Sequence, residues 1–284
     1  TLARHDALFF LDNFERLPFY VVLLRKIMPV FALGATRSKD LRDGERLANA
    51  LRELGPSFIK LGQALSVRAD LIGEEMVLDL GNLRDRLPPF PFEKARETVE
   101  YELEAPLEEL FADFNPEPVA AASIAQVHFA TVRETVPAPT EADPGATEEI
   151  LREVAVKILR PGVESAFESD LQLFFWLAEL AERYQPHFRR LRLTKIVETM
   201  ADSVELEMDL RMEASAASEM AENFADDPEF DVPEIDWQRT ARRVMTQSRI
   251  DGISISKKEE LAAAGHDLKA LGDNVIRVFL HQVL

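Results

Sequence analysis

No cysteine occurs anywhere in these 284 residues. Disulfides, thiolate nucleophiles and cysteine-ligated zinc are thereby excluded, and the composition fits a reducing compartment. Positive charge is scarce: 33 Lys and Arg stand against 51 Asp and Glu, a net charge of −18 with a pI near 4.8. Proteins that grip a phosphate backbone ordinarily carry a basic face, so nucleic acid is not expected as a partner. The five histidines, His5, His128, His187, His266 and His281, are too scattered to pair as metal ligands on one helix. Long apolar runs are wanting too. The most apolar early stretch, LPFYVVLLRKIMPVFALG at 17–34, is interrupted by Arg25 and Lys26 and falls short of the roughly 20 apolar residues a membrane-crossing helix needs. Packing within the protein is expected for it, with a segment lying on a membrane surface as the alternative. No cleavable leader and no fixed-period repeat are legible.

What is present reads as a folded, helix-rich chain, with 46% hydrophobic residues and only 11 glycines. Residues 1–114 have helical spacing, with Leu47, Leu51, Leu54, Phe58, Leu61 and Leu65 three or four apart. Gly55-Pro56 breaks that run and Ser57 is expected to cap the next helix. Strand character comes at 118–132 and again at 152–159. Between them, ETVPAPTEADPGATEEI (134–150) reads as a flexible hairpin loop or insertion. Helices are expected at 163–187 and 194–224, then strands within 230–255 with a turn at Asp251-Gly252. The closing NVIRVFLHQVL is an amphipathic helix whose apolar pattern breaks off at Leu284 without a cap, as if the chain were cut there.

Two stretches carry chemistry together. PVAAASIAQVHFATV (118–132) reads as strand, small-residue turn, strand, and VAVKILRPG (154–162) puts Lys157 on a valine-rich strand. A kinase-like fold grips nucleotide phosphates with such a turn and such a lysine, but here alanines and a serine stand where glycines are usual. A modified phosphate loop and an ordinary hairpin both fit. Lys157 gains weight if a carboxylate holds it. On the expected 194–224 helix, Leu206, Leu210, Ala217, Met220 and Phe224 form an apolar stripe whose central gap is filled by Glu213, and a carboxylate there is costly unless paired. A second stripe, Val197, Met200 and Val204, runs into Glu207, with Asp209 two residues on. A solvated face accounts for Glu198, Glu205 and Glu222. Lys60 and Gln63 share a helix face. Gly62 between them costs ~1 kcal/mol of helix propensity relative to alanine, a cost that makes sense where something must approach the backbone closely.

These pieces together resemble one family. FIKLGQALSVRADLI is similar to the KxGQ motif, AAASIAQVH to the alanine-rich loop, VAVKILRPG to the lysine strand and ELEMDLRMEA to the ExD motif of the UbiB-type (ADCK, aarF) atypical kinase-like family, in the same order and over residues 45 to the end. The resemblance implies an α+β fold: a protein-kinase-like N-lobe with an antiparallel sheet, preceded by a family-specific helical extension, with the C-lobe largely missing. The implied domains are 1–114 for the extension, 115–252 for the N-lobe and 253–284 for the start of the C-lobe.

By motif, the resemblance implies that Lys157 contacts the α/β-phosphates of ATP or ADP with Glu213 as its partner. Lys60 and Gln63 would project into the active site, where Glu207 and Asp209 meet Lys60. Ala120, Ala121, Ala122 and Ser123 would form the turn over the phosphates, followed by Gln126. The family's catalytic Asp and Asn and its metal-binding DFG are expected downstream of this sequence, so Mg²⁺ is expected only with that further part and no metal ligand is assigned here. Ser248 stands where the family commonly has a glutamate that contacts the adenine region. The implied role is ATP hydrolysis or phosphorylation supporting ubiquinone (coenzyme Q) or related isoprenoid-lipid biosynthesis. The implied partners are a quinone-precursor lipid, ubiquinone-biosynthesis proteins and the cytoplasmic side of a bacterial inner membrane. A non-catalytic, nucleotide-sensing scaffold of a quinone-biosynthesis complex is the alternative. An ordinary protein kinase is disfavoured by the alanine turn and the KxGQ helix.

Overall fold

A computed structural model describes residues 1–2, 4–7, 41–81, 83, 87–138, 147–184 and 186–283. The apolar stretch 17–34 and the middle of the 134–150 segment lie outside them. The elements are α1 (Asp43–Leu54), α2 (Pro56–Leu65), α3 (Ala69–Ile72), α4 (Glu74–Gly81), α5 (Phe92–Leu103), α6 (Leu107–Leu110), β1 (Asp113–Phe114), β2 (Ala120–Ala121), β3 (Ala125–Pro137) and β4 (Thr147–Leu159). They continue with α7 (Val163–Tyr184), α8 (Pro186–Leu191), α9 (Leu193–Glu207), α10 (Leu210–Asn223), β5 (Val244–Ser248), α11 (Lys258–Ala263) and α12 (Leu268–Val283). The chain forms two compact units, one from Thr1–Phe90, Ala120–Gln126 and Leu159–Met208, the other from Pro91–Val119, Val127–Ile158 and Asp209–Leu284.

The first unit is helical. Gly55 sits at φ +113°, where its N–H closes α1 on the Leu51 carbonyl and its own carbonyl opens α2 by accepting from Ile59. The expectation that Ser57 caps α2 is corrected. Proline at the first helical position lacks an N–H that would need a partner, so Gly55 becomes the cap and Ser57 is buried inside the helix, its hydroxyl unpartnered among the described residues. Ala48, Leu51, Ile59, Leu80 and Leu83 form the core between α1, α2 and α4. Gly62 lies under it: a Cβ there would come 2.8 Å from the Leu51 and Leu83 methyls. The close approach to the backbone that the glycine's helix-propensity cost pointed to is thus made by two leucine side chains of the core. Phe58 meets Phe174 edge-on at 5.0 Å, seating α7 on α2. α7 also packs along α9.

In the second unit an antiparallel sheet runs in the order β1-β3-β4-β5. Register pairs Val154 with Ser248 and Lys157 with Met245. Val154, Val156 and Ile158 are fully buried on one face, and strand alternation puts Lys157 on the other. The loop expected over 134–150 is shorter than that: β3 and β4 reach Pro137 and Thr147. Cross-strand pairs such as Arg152 with Glu134, 2.6 Å apart, hold those polar flanks in the sheet. Of the expected 230–255 strands only β5 forms, joined by single bridges at Ile235 and Ala241. No turn forms at Asp251-Gly252. The chain instead leaves the sheet at Arg249, which reaches Glu153 at 3.2 Å and lies 4.2 Å over the Phe129 ring.

Two expected helices are divided. The first ends at Tyr184, and Pro186 opens the next as an N-terminal proline. The second breaks at Met208, where Asp209 caps α10 by accepting the Arg211 N–H. That break is also where the chain passes from the first unit to the second.

Candidate functional site

The lysine strand and the acid meant to hold it come together. Leu210 and Ala214 bury one face of α10, and the Leu210 N–H donates to the Arg242 carbonyl at 2.8 Å. This anchors the first turn of the helix with Glu213 pointing to the strand. Lys157 Nζ donates to both Glu213 oxygens, at 2.7 and 2.6 Å. An ammonium has three N–H donors, so one remains for a further acceptor. The pair is not buried: Lys157 is 26% and Glu213 50% exposed. The expected stripe with Glu213 at its centre is therefore corrected, because the break at Asp209 resets the helix phase and leaves Leu206 58% exposed.

The two acids of the ExD motif serve different partners. Glu207, at the end of α9, takes Lys60 of α2 at 2.6 Å, with the lysine side chain only 18% exposed. Asp209 instead holds Arg211, through its backbone N–H at 3.1 Å and its guanidinium at 2.8 and 2.5 Å. The Arg211 hydrogen bond keeps the Asp209 carboxyl below its usual range, against an opposing desolvation effect. Lys60 and Gln63 open on a groove of about 570 Å³ between α2 and α9, with Val67, Lys195 and Met200 also in its walls.

The small-residue turn belongs to the first unit. Ala122 donates its N–H to the Ala125 carbonyl at 2.8 Å, and none of Ala120, Ala121, Ala122 and Ser123 has positive φ. That is why alanine suffices: the bend never enters the region that glycine alone adopts freely. The turn is held from behind by Arg160. Its guanidinium donates to the carbonyls of Pro88, Ser123 and Ala122 at 3.0, 3.2 and 3.3 Å. It also lies 5.3 Å from the Phe90 ring centre. Burial lowers the Arg160 pKa. Gln126 is buried, its amide oxygen accepting the Phe90 N–H at 3.0 Å and its amide nitrogen donating to the Phe90 carbonyl at 3.4 Å. Sequence reasoning passed over Arg160. Its one signal was position, the last residue of the lysine strand's run before Pro161-Gly162.

Ser248 accepts from Arg152 at 3.3 Å, and Arg152 also reaches Glu134 and the buried Asp236. Among the described residues no three or more His, Asp or Glu side chains gather as a metal site. No described helix is long and apolar enough to cross a membrane.

Comparison with known proteins places this arrangement. Residues 82–284 match the ABC1 atypical kinase-like domain. Over 243 residues the chain is 40% identical to a probable protein kinase UbiB of Marinobacter nauticus, covering 86% of this chain and 42% of the relative. It is 39% identical over 266 residues to a probable protein kinase UbiB of Shewanella pealeana, covering 94% and 45%. The chain thus spans less than half the length of these curated relatives. Among solved structures, the Rv3197–erythromycin complex from Mycobacterium tuberculosis is 27% identical with a TM-score of 0.43, covering 84% of this chain and 53% of that one. The antiparallel sheet, the lysine strand and the match over most of the sequence agree, and the chain belongs to the ABC1 atypical kinase-like family, with an α+β, kinase-like fold.

Proposed function

We propose that these residues are the nucleotide-binding portion of an atypical kinase or ATPase that supports the synthesis of ubiquinone or a related isoprenoid lipid at the cytoplasmic face of a bacterial membrane. The observation that carries this reading is the Lys157–Glu213 pair. In kinases a strand lysine is turned toward the α/β-phosphates by a helix carboxylate, and here the carboxylate occupies two of the ammonium's three donors. The third is left for a phosphate oxygen of ATP or ADP. Such a charge-assisted bond contributes about 1.5–3 kcal/mol. The nucleotide supplies the transferable phosphoryl group. Glu213 fixes the direction of the Lys157 ammonium, and Ala120 to Ser123 form a turn whose shape is set before any ligand arrives. Gln126, buried against the Phe90 backbone, follows the turn. Mg²⁺ would need ligands beyond those gathered here. The reading of lipid synthesis draws on the names of the relatives.

Titrating ATP and ADP against the chain and its Lys157→Met variant tests the proposal. Loss of one charge-assisted bond predicts about a 10- to 150-fold weaker affinity. Unchanged affinity in a folded Lys157→Met protein would remove the pair from nucleotide binding and the proposal with it.

A further inference from the structure

Arg242 and Arg243 form the tip of a tight turn leading into β5, where the Ala241 N–H donates to the Val244 carbonyl at 2.7 Å. One peptide unit joins the two arginines, and both of its polar groups leave the turn. Its carbonyl, on Arg242, accepts the Leu210 N–H at 2.8 Å. Its N–H, on Arg243, donates to Glu102 Oε2 at 3.1 Å. The unit is trans and planar, so the two groups point in opposite directions. Glu102, near the end of α5, and Leu210, at the start of α10, are thereby joined through a single rigid plane. Both helices pack on β5, and all of these residues belong to the second unit.

Glu102 is not a solvated acid: its side chain is 12% exposed and the Arg243 guanidinium stands 4.0 Å away. Its charge also reaches Arg211 in the first turn of α10, whose pKa is raised chiefly by Asp209 and further by Glu102. A charged acceptor on a peptide N–H polarises the unit and strengthens the bond that its carbonyl accepts. It also fixes which way the unit faces. Turning over the central peptide of such a turn requires positive φ at one of the two central residues, and neither Arg242 nor Arg243 has it. We infer that Glu102 is a positioning residue for the Lys157–Glu213 pair. It sets the 242–243 peptide, the peptide sets Leu210, and the first turn of α10 carries Glu213 to Lys157. The inference deepens the nucleotide-binding proposal and rests on it for its consequence, the direction of the remaining donor on Lys157.

Carbodiimide joins an amine to a carboxylate held in contact with it, so mapping Lys157–Glu213 coupling in the intact, nucleotide-free chain reads the pair directly. Coupling of Lys60 to Glu207, in the first unit, is the internal reference. In Glu102→Ala, Lys157–Glu213 coupling is expected to fall relative to that reference, and Leu210 N–H exchange to quicken about tenfold. ATP affinity should weaken about three- to tenfold, but less than about twofold when Glu213→Gln is already present. Glu102→Gln retains an oxygen acceptor and should recover most of each loss. Glu102→Asp keeps the charge and draws the acceptor back, so it repeats the test where the alanine chain does not fold. Unchanged Leu210 exchange or unchanged relative coupling would overturn the inference, as would equal weakening of ATP in both backgrounds. Absence of ATP binding by the parent chain would remove the nucleotide reading instead. Coupling and exchange, measured without nucleotide, would still decide whether Glu102 positions the pair.

Discussion

Removing the Arg160 guanidinium tests how the alanine turn is held. Arg160→Met keeps an unbranched apolar stem against Phe90 and withdraws the donors serving the Pro88, Ala122 and Ser123 carbonyls. A buried acceptor left without a donor costs about 1–3 kcal/mol. The site is partly open to water, so about 1 kcal/mol for each carbonyl is appropriate, roughly 3 kcal/mol together. Against this, burial disfavours the charged form of Arg160, so removing the charge offsets part of that cost. The net expectation is a loss between about 1 and 3 kcal/mol. Arg160→Lys restores one direction of bonding and should recover about half of it. Urea unfolding followed through Trp176, on α7 of the first unit, reads the stability. Hydrogen exchange reads the Ala122 N–H that closes the turn on Ala125. A loss below about 0.5 kcal/mol with undiminished protection of Ala122 would refute the argument that Arg160 holds the turn.

Three further outcomes follow from the geometry. Gly62→Ala gains ~1 kcal/mol of helix propensity but forces a methyl against Leu51 and Leu83, at about 1–3 kcal/mol of overpacking. A net loss of about 1 kcal/mol is expected in urea melts, relieved when Leu83→Ala is combined with it; a stabilised G62A would contradict the packing account. Glu213→Gln should shift the melting temperature by less than about 3 °C, because an exposed ion pair contributes at most about 1 kcal/mol, while ATP titration of the same variant shows weakened binding. Asp209→Asn keeps the helix cap and loses the charge held by Arg211. The folded carboxyl lies below its ordinary value of 3.8, so the stability difference between parent and variant is fully present above that pH. It is lost as pH falls through the folded value; a difference that does not shrink as pH falls below 3.8, or is absent at about pH 7, would show that the Arg211 contact is not its source.

The pieces that sequence spacing made legible were those set by local chemistry. Alternating valines around Lys157 announced a strand with one buried face, and Gly55-Pro56 announced the break between α1 and α2. The pairing of Lys157 with Glu213 is a contact across 56 residues, reached through the family resemblance more than through spacing. What escaped was decided by competition among near neighbours. Asp209 could continue a helix or cap one, and the nearby Arg211 favours the cap. Ser57 could cap α2, but Pro56 moved the boundary. Gly62 announced a close approach to its backbone, but not that Leu51 and Leu83 would be what approaches. Arg160 was invisible because its partners are backbone carbonyls, which leave no trace in composition or periodicity.

The ordinary backbone angles of the alanine turn carry one more consequence. A glycine loop of the same length samples many shapes when empty and must be ordered by what it binds. Each alanine in its place narrows the free chain by about 0.4–1 kcal/mol of conformational entropy, and here it does so without strain, since no residue from Ala120 to Ser123 lies at positive φ. The turn therefore gives up less conformational freedom in taking its shape than a glycine turn would. If the turn covers nucleotide phosphates as proposed, less ordering would be left for the nucleotide to impose.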